Sequence, residues 1–201
     1  MKRINIEEKE MKTFIGCWDI NDVKLMNGLV EFFENNLSDT IKGVSGDGEI
    51  NTDKKNSIDL AIKPKDLKDE NFSIFLDYFK ILDNCFKDYL DQWDFLKTRW
   101  KNMHVGPFNI QKYEPGGHFN NWHTEKDGIA SSHRALAWMT YLNNLDTEGG
   151  NTDFKHFDLS IKPERGKTLI WPAEWTHAHR GQKVMSDKYI ITGWFHFPPM
   201  E

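Results

Sequence analysis

Apolar positions recur at helical spacing in two stretches of the N-terminal half. Val23, Met26, Leu29, Val30 and Phe33 lie three or four apart with polar residues between them, which predicts an amphipathic helix over 22–36 with Asn21 capping its first turn. Phe75, Tyr78, Phe79, Leu82, Phe86, Tyr89, Leu90 and Trp93 repeat the pattern over 71–93 as one broad aromatic stripe. A stripe of that width is the mark of a helix packed on a sheet rather than of a cofactor site. Between the two, GVSGDGEINTDKKNS at 43–57 is polar and dotted with glycine and reads as a loop or hairpin. A short strand-like run from Ile58 to Ile62 follows it and stops before Pro64.

Beyond about residue 100 the pattern changes to short β-prone runs: PFNIQKY at 107–113, RALAWMTYL at 134–142, FDLSI at 157–161, KTLIW at 167–171 and YIITGWFHF at 189–197. Each is bounded by Gly, Pro, Asn or Asp. The predicted fold class is α+β: a double-stranded β-helix, or jelly roll, with the N-terminal helices packed against one sheet. No repeat or low-complexity linker divides the chain, so one domain over 1–201 is expected, with 1–100 as a mainly helical support and 101–201 as the jelly-roll core.

Composition sharpens this picture a little. Thirteen per cent of the residues are aromatic, eight Trp among them, which argues for a packed interior and against disorder. A net charge of −5 with scattered Lys and Arg offers no field for a polyanion, so nucleic acid is not an expected partner. The opening MKRINIEEKEMKTF has no apolar core, and no apolar run approaches the roughly 18 residues of a membrane span. A cytoplasmic protein without a membrane partner is therefore expected. Cys17 and Cys85 lie far apart and outside any Cys-x-x-Cys pattern, so both read as reduced thiols.

The candidate chemistry lies in the C-terminal half, where all eight histidines fall between 104 and 196. His123-Thr124-Glu125 sets an imidazole and a carboxylate two residues apart, and on an extended strand such positions project to one face. A third ligand must come from elsewhere, and WTHAHRG offers His177 and His179. Two imidazoles and one carboxylate leave positions open for a co-substrate and O₂, the requirement of an iron(II) oxygenase centre, whereas structural zinc closes its shell with four protein ligands. Asp127 competes with Glu125 for the carboxylate role, but Gly128 marks a turn already under way and favours Glu125. Nine residues after His179, Lys188 leads into the apolar run YIITGWF. An ammonium buried there needs an anionic partner, and a dicarboxylic co-substrate would be one.

Taken in order, a Tyr-x-Pro-Gly turn (Tyr113, Pro115, Gly116), His-x-acid, Arg134 seven residues before Tyr141 in TYLN, GGNTDF, PERGKTLIW, His179 and Lys188 resemble the 2-oxoglutarate and iron(II)-dependent dioxygenases, in particular their prolyl-4-hydroxylase-like branch. The resemblance spans about residues 104–197. It implies that His123, Glu125 and His179 hold iron(II), that Lys188 binds the far carboxylate of 2-oxoglutarate, that Tyr141 hydrogen-bonds the co-substrate and that Tyr113 faces the pocket beside it. It also implies oxygen-dependent hydroxylation of an unactivated C–H bond, with ascorbate as a possible reductant and a peptide or protein prolyl residue, or a small molecule, as substrate. The chain departs from the family in one place, having Glu125 where most members carry Asp.

Of the other histidines, His177 is expected behind the metal or in the pocket wall, and His104, His118, His133, His156 and His196 as ordinary hydrogen-bonded or surface residues. Trp122, Trp138 and Trp194 read as core, and Trp171 and Trp175 as candidates for the cleft. Two rival readings use the same side chains: a cupin-like metalloprotein without 2-oxoglutarate chemistry, and a binding module on a degenerate jelly roll.

Overall fold

The computed structural model describes residues 12–44, 48–100 and 102–198. The start of the chain through residue 11, and residues 45–47 of the polar segment, lie outside the described residues. The helices are α1 (Val23–Asn35), α2 (Ser73–Gln92) and α3 (Asp94–Arg99). The strands are β1 (Gly16–Asp19), β2 (Ile41–Lys42), β3 (Lys55–Asn56), β4 (Ile58–Ile62), β5 (His104–Val105), β6 (Phe108–Tyr113) and β7 (His118–His123). They continue as β8 (Arg134–Tyr141), β9 (Thr152–Phe154), β10 (Leu159–Ile161), β11 (Lys167–Pro172), β12 (His179–Gly181) and β13 (Lys188–His196). Among the described residues they form two antiparallel sheets: an eight-stranded one in the order β1-β11-β8-β13-β6-β4-β2 with β5 on β13, and a five-stranded one in the order β10-β9-β12-β7-β3. This is the jelly roll with helices on one sheet that the pattern predicts.

The helices form where the apolar spacing places them, with small differences at the ends. The cap of α1 is Asp22 rather than Asn21: its carboxylate accepts the Leu25 N–H at 2.9 Å, which turns Leu25, Met26, Leu29 and Phe33 inward. Helix α2 buries Phe75, Tyr78, Leu82, Cys85, Phe86, Tyr89 and Leu90. The run 157–161 is a strand only from Leu159, because the chain first turns through Asp158 at φ 51°. Its hairpin partner β9 comes from GGNTDF. Cys17 and Cys85 are both free thiols. Among the described residues no helix is long and apolar enough to cross a membrane.

The large sheet is covered on both faces, so β8 and β13 read as near-continuous apolar runs rather than as alternating ones. One face of the sheet gives Phe108, Ile110, Leu136, Trp138, Ile170, Ile191 and Phe195 to a core shared with α1 and α2. The other gives Tyr113, Ala137, Met139, Tyr141, Leu169, Trp171 and Ile190 to a second core between the sheets, closed by Phe154. Three hydroxyls of the helix face satisfy one another. Thr168 donates to the Gly166 carbonyl at 3.1 Å, Thr140 therefore donates to Thr168 at 2.7 Å, and Tyr78 to Thr140 at 2.9 Å.

Candidate metal centre

The small sheet assembles the centre. Strand β12 pairs with β7 so that His179 stands directly opposite His123, although the two are 56 residues apart (179 − 123), and the ring centroids come to 4.3 Å. Glu125 lies past the end of β7, in a bend rather than on the strand. It still meets the two rings: its Oε1 is 3.2 Å from His179 Nε2. Among the described residues, one ligand atom from each of His123, Glu125 and His179 falls within 4.8 Å of the others. Asp127 takes no part, since its carboxylate accepts the Ser131 hydroxyl at 2.9 Å, and the turn signalled by Gly128 begins there.

The ring hydrogen bonds fit these residues to a metal. His123 Nδ1 lies 3.0 Å from the Asn121 carbonyl and His179 Nδ1 lies 3.0 Å from the His177 carbonyl. A carbonyl only accepts, so each Nδ1 donates and Nε2 is the atom each ring would offer a metal. Burial, with His179 beside it, pushes His123 down to about 3, which holds it neutral. Burial opposes the charge on Glu125, but the hydrogen bond and charge of His179, with His123 and the Trp194 indole, outweigh it and hold the carboxyl at about 2. Two imidazoles and an ionised carboxylate, with no thiolate, suit iron(II) and leave coordination positions free.

Lys188 is the second candidate feature. It opens β13, pairs in register with Tyr113 on β6, and is 3% exposed. Its Nζ donates to the Gly150 carbonyl at 3.0 Å and stands 4.7 Å from the centre of the Tyr113 ring. Among the described residues no carboxylate pairs with it. Burial pushes this ammonium down to about 8. A buried cation without a counter-ion is the signature of a site for an anion from solution. Gly150 is in the left-handed region at φ 73°, and its close packing on Leu145, Val184 and Lys188 explains the second glycine of GGNTDF.

The tyrosines divide. Tyr113 faces Lys188, with its hydroxyl donating to Gln111 Oε1 at 2.8 Å. Tyr141 lies in the same inter-sheet core, but its hydroxyl donates to Thr152 Oγ1 at 2.7 Å rather than towards Lys188. His177 is buried, with Nε2 on the Thr13 carbonyl at 2.7 Å, and supports the centre through the carbonyl that orients His179. Trp171 is buried edge-on to His179, at 5.1 Å between centroids, so it packs the ligand rather than lining an open cleft, while Trp175 is 68% exposed. Trp122 is not core: it is half-buried between Lys155 and Arg180, which lie 5.6 and 4.6 Å from its ring.

Three contacts around the centre escape motif reading. Phe119 stacks on His123 with centroids 3.7 Å apart. The buried Lys55–Asp59 ion pair, closed at 2.6 Å, brings its ammonium to 5.4 Å from the Phe119 ring. Trp194 donates its indole N–H to Glu125 Oε2 at 2.7 Å. The signal for the last lay in β13, where residues of even number face the inter-sheet core, Lys188 and Trp194 among them.

Residues 108–196, which hold all six candidate site residues, match the family model of the 2OG-Fe(II) oxygenase superfamily. No curated protein sequence matches the chain. Among solved structures, a prolyl-4-hydroxylase from Pseudomonas putida is 14% identical with a TM-score of 0.68, covering 93% of this chain and 94% of its own. A viral collagen prolyl hydroxylase from Paramecium Bursaria Chlorella virus-1, solved as a 2OG complex, is 17% identical with a TM-score of 0.65 over 92% and 97%. A prolyl hydroxylase from Trichoplax adhaerens, solved with a peptide fragment of the hypoxia inducible factor oxygen degradation domain, is 12% identical with a TM-score of 0.71 over 92% and 84%. At these identities the likeness establishes a shared fold.

Proposed function

We propose that this chain, whose residues 108–196 match the family model of the 2OG-Fe(II) oxygenase superfamily, hydroxylates an unactivated C–H bond of a prolyl residue in a peptide, using iron(II), 2-oxoglutarate and O₂. The observation that carries the reading is the pairing of a three-ligand centre with a buried, unpaired cation on one jelly roll. His123, Glu125 and His179 would hold iron(II), and Lys188 would hold the far carboxylate of the co-substrate. When bound, iron(II) and 2-oxoglutarate supply an O₂-derived oxidant able to remove hydrogen from such a bond, with succinate and CO₂ as co-products.

The residues of the chain orient and protect. Asn121 and His177 hold the two imidazoles through their carbonyls, so both rings present Nε2 without reorganising. Glu125 is ionised throughout the physiological range and balances part of a dication's charge. Lys188 gains its counter-ion only when a dianion enters, and Tyr113 walls the space beside it. Phe154 and Trp171 pack against His179 and exclude water from behind the centre. The prolyl substrate is the finer part of the reading. It takes its support from a shared fold with three prolyl hydroxylases, and small metabolites are the alternative substrates on the same scaffold.

Succinate release with iron(II), ascorbate and 2-oxoglutarate, measured against pooled prolyl peptides and a metabolite panel, tests the proposal. Turnover that depends on 2-oxoglutarate and rises with a prolyl peptide is expected. A protein fully loaded with metal that forms no succinate would remove the oxygenase reading, and stimulation by a metabolite alone would replace the peptide.

A further inference from the structure

Glu125 has no strand to hold it. The ladder of β7 ends at His123, and the chain is already bending when it reaches the carboxylate. The side chain is nevertheless fixed at both ends. Its Oε2 accepts the Trp194 indole N–H at 2.7 Å, a short, charge-assisted bond, while Oε1 stays 3.2 Å from His179 Nε2. Its main-chain carbonyl accepts Arg134 Nη1 at 2.9 Å, and the same guanidinium lies 3.8 Å over the centre of the Trp194 ring. Main chain, cation, indole and carboxylate close a loop that begins and ends on one residue.

We infer that Trp194 and Arg134 are positioning residues that clamp the ligating carboxylate and select glutamate over aspartate at this place, an inference that rests on the metal reading above. The division of labour between the two oxygens carries it. One oxygen is committed to the indole, so the other is left facing the two imidazoles, and the carboxylate is presented to a metal through a single, fixed atom. With the carbonyl pinned by Arg134 and Oε2 by Trp194, the distance between them is spanned by two methylenes. Aspartate would withdraw the carboxylate by about one C–C bond, near 1.5 Å, and could then keep either the indole or the imidazoles but not both. Trp194 is able to do this because β13 is a rigid mount: β8 pairs it at Trp194 itself, opposite Ala137, while on the other edge β6 pairs it up to Thr192 and β5 from Phe195.

The test is titration of the whole protein with cobalt(II) alone, read by its ligand-field absorbance and by calorimetry, beside thermal melts of the metal-free proteins. Trp194→Phe should bind cobalt about 10- to 100-fold more weakly while its metal-free melt stays near that of the unaltered protein, and Arg134→Gln should show a smaller loss. Glu125→Asp should lose affinity in the natural background and much less of it in a Trp194→Phe background, because one contact cannot be lost twice. Trp194→Phe with undiminished affinity, or losses that simply multiply in the double variant, would overturn the clamp. Should Trp194→Phe not fold, full cobalt affinity in Arg134→Gln would overturn it equally. An unaltered protein that takes up no cobalt would overturn the metal reading, and the clamp with it.

Discussion

The two faces of the large sheet are made by alternate residues of the same strands, yet they obey different rules. Towards the helices, Leu136, Trp138 and Ile191 meet Phe75 and Tyr78 in a core whose few hydroxyls hand their protons down a line from Tyr78 to Gly166. Towards the small sheet, Ile190 shares its face with Lys188, a charge left without a counter-ion, and with Trp194, which holds a carboxylate. A satisfied interior lowers the energy of the fold; an unsatisfied one stores affinity for a ligand not yet present. The contrast shows where packing ends and function begins without any appeal to motif, since among the described residues only one face carries a buried charge whose partner must come from solution.

The largest effect should come from the packing face. Phe75→Ala should cost about 3–5 kcal/mol of stability, measured by urea unfolding, because a fully buried ring leaves a cavity under the sheet. Cobalt affinity of the folded fraction should stay unchanged; a parallel loss would mean that the faces are not independent. Lys188→Met should reverse that pattern. Affinity for 2-oxoglutarate in the metal-loaded protein should fall by about 100-fold or more, by calorimetry, while the melting temperature holds or rises, because an unpaired buried ammonium has been removed. A melting temperature that drops as it does for Phe75→Ala would place Lys188 with the packing residues and erase the comparison.

Titration sharpens it further. The Lys188 ammonium is lost in the ligand-free protein as pH rises through about 8, so 2-oxoglutarate binding should weaken by up to about tenfold per pH unit between 8 and 9. In the same window the unfolded chain, whose lysine keeps its usual value of 10.5, binds more protons than the folded one. Stability of the ligand-free protein should therefore rise with pH, in urea unfolding at pH 7.5 and 9, and Lys188→Met should lack that rise. The smallest effect belongs to the satisfied face again. Tyr78→Phe should cost about 1 kcal/mol, as Thr140 still donates to Thr168 after the tyrosine hydroxyl is gone.

Much of this molecule was legible along the chain. Helices α1 and α2 and strands β4, β6, β8, β11 and β13 follow from the spacing of apolar residues, because each spends a whole face on a core and burial enforces the period. Strands β2, β3, β5, β9 and β12, each of two or three residues, left no trace: so short a run carries no period, and pairing partners fix it instead. The same division runs through the site. His123, His179 and Lys188 were found by residue type, offset and resemblance, since a lone lysine entering an apolar strand is anomalous wherever it points. Their meeting was decided by the register of β12 on β7, which sets two distant histidines opposite each other. Tertiary structure alone turned Tyr141 to Thr152, moved Trp122 out of the core, and set Trp194 and Arg134 on a glutamate that sits beyond its strand. A sequence determines which groups need partners, because charge, polarity and size belong to the residue. Which partner each one finds is a matter of distance across strands far apart in the chain, and only the folded sheets bring those strands together.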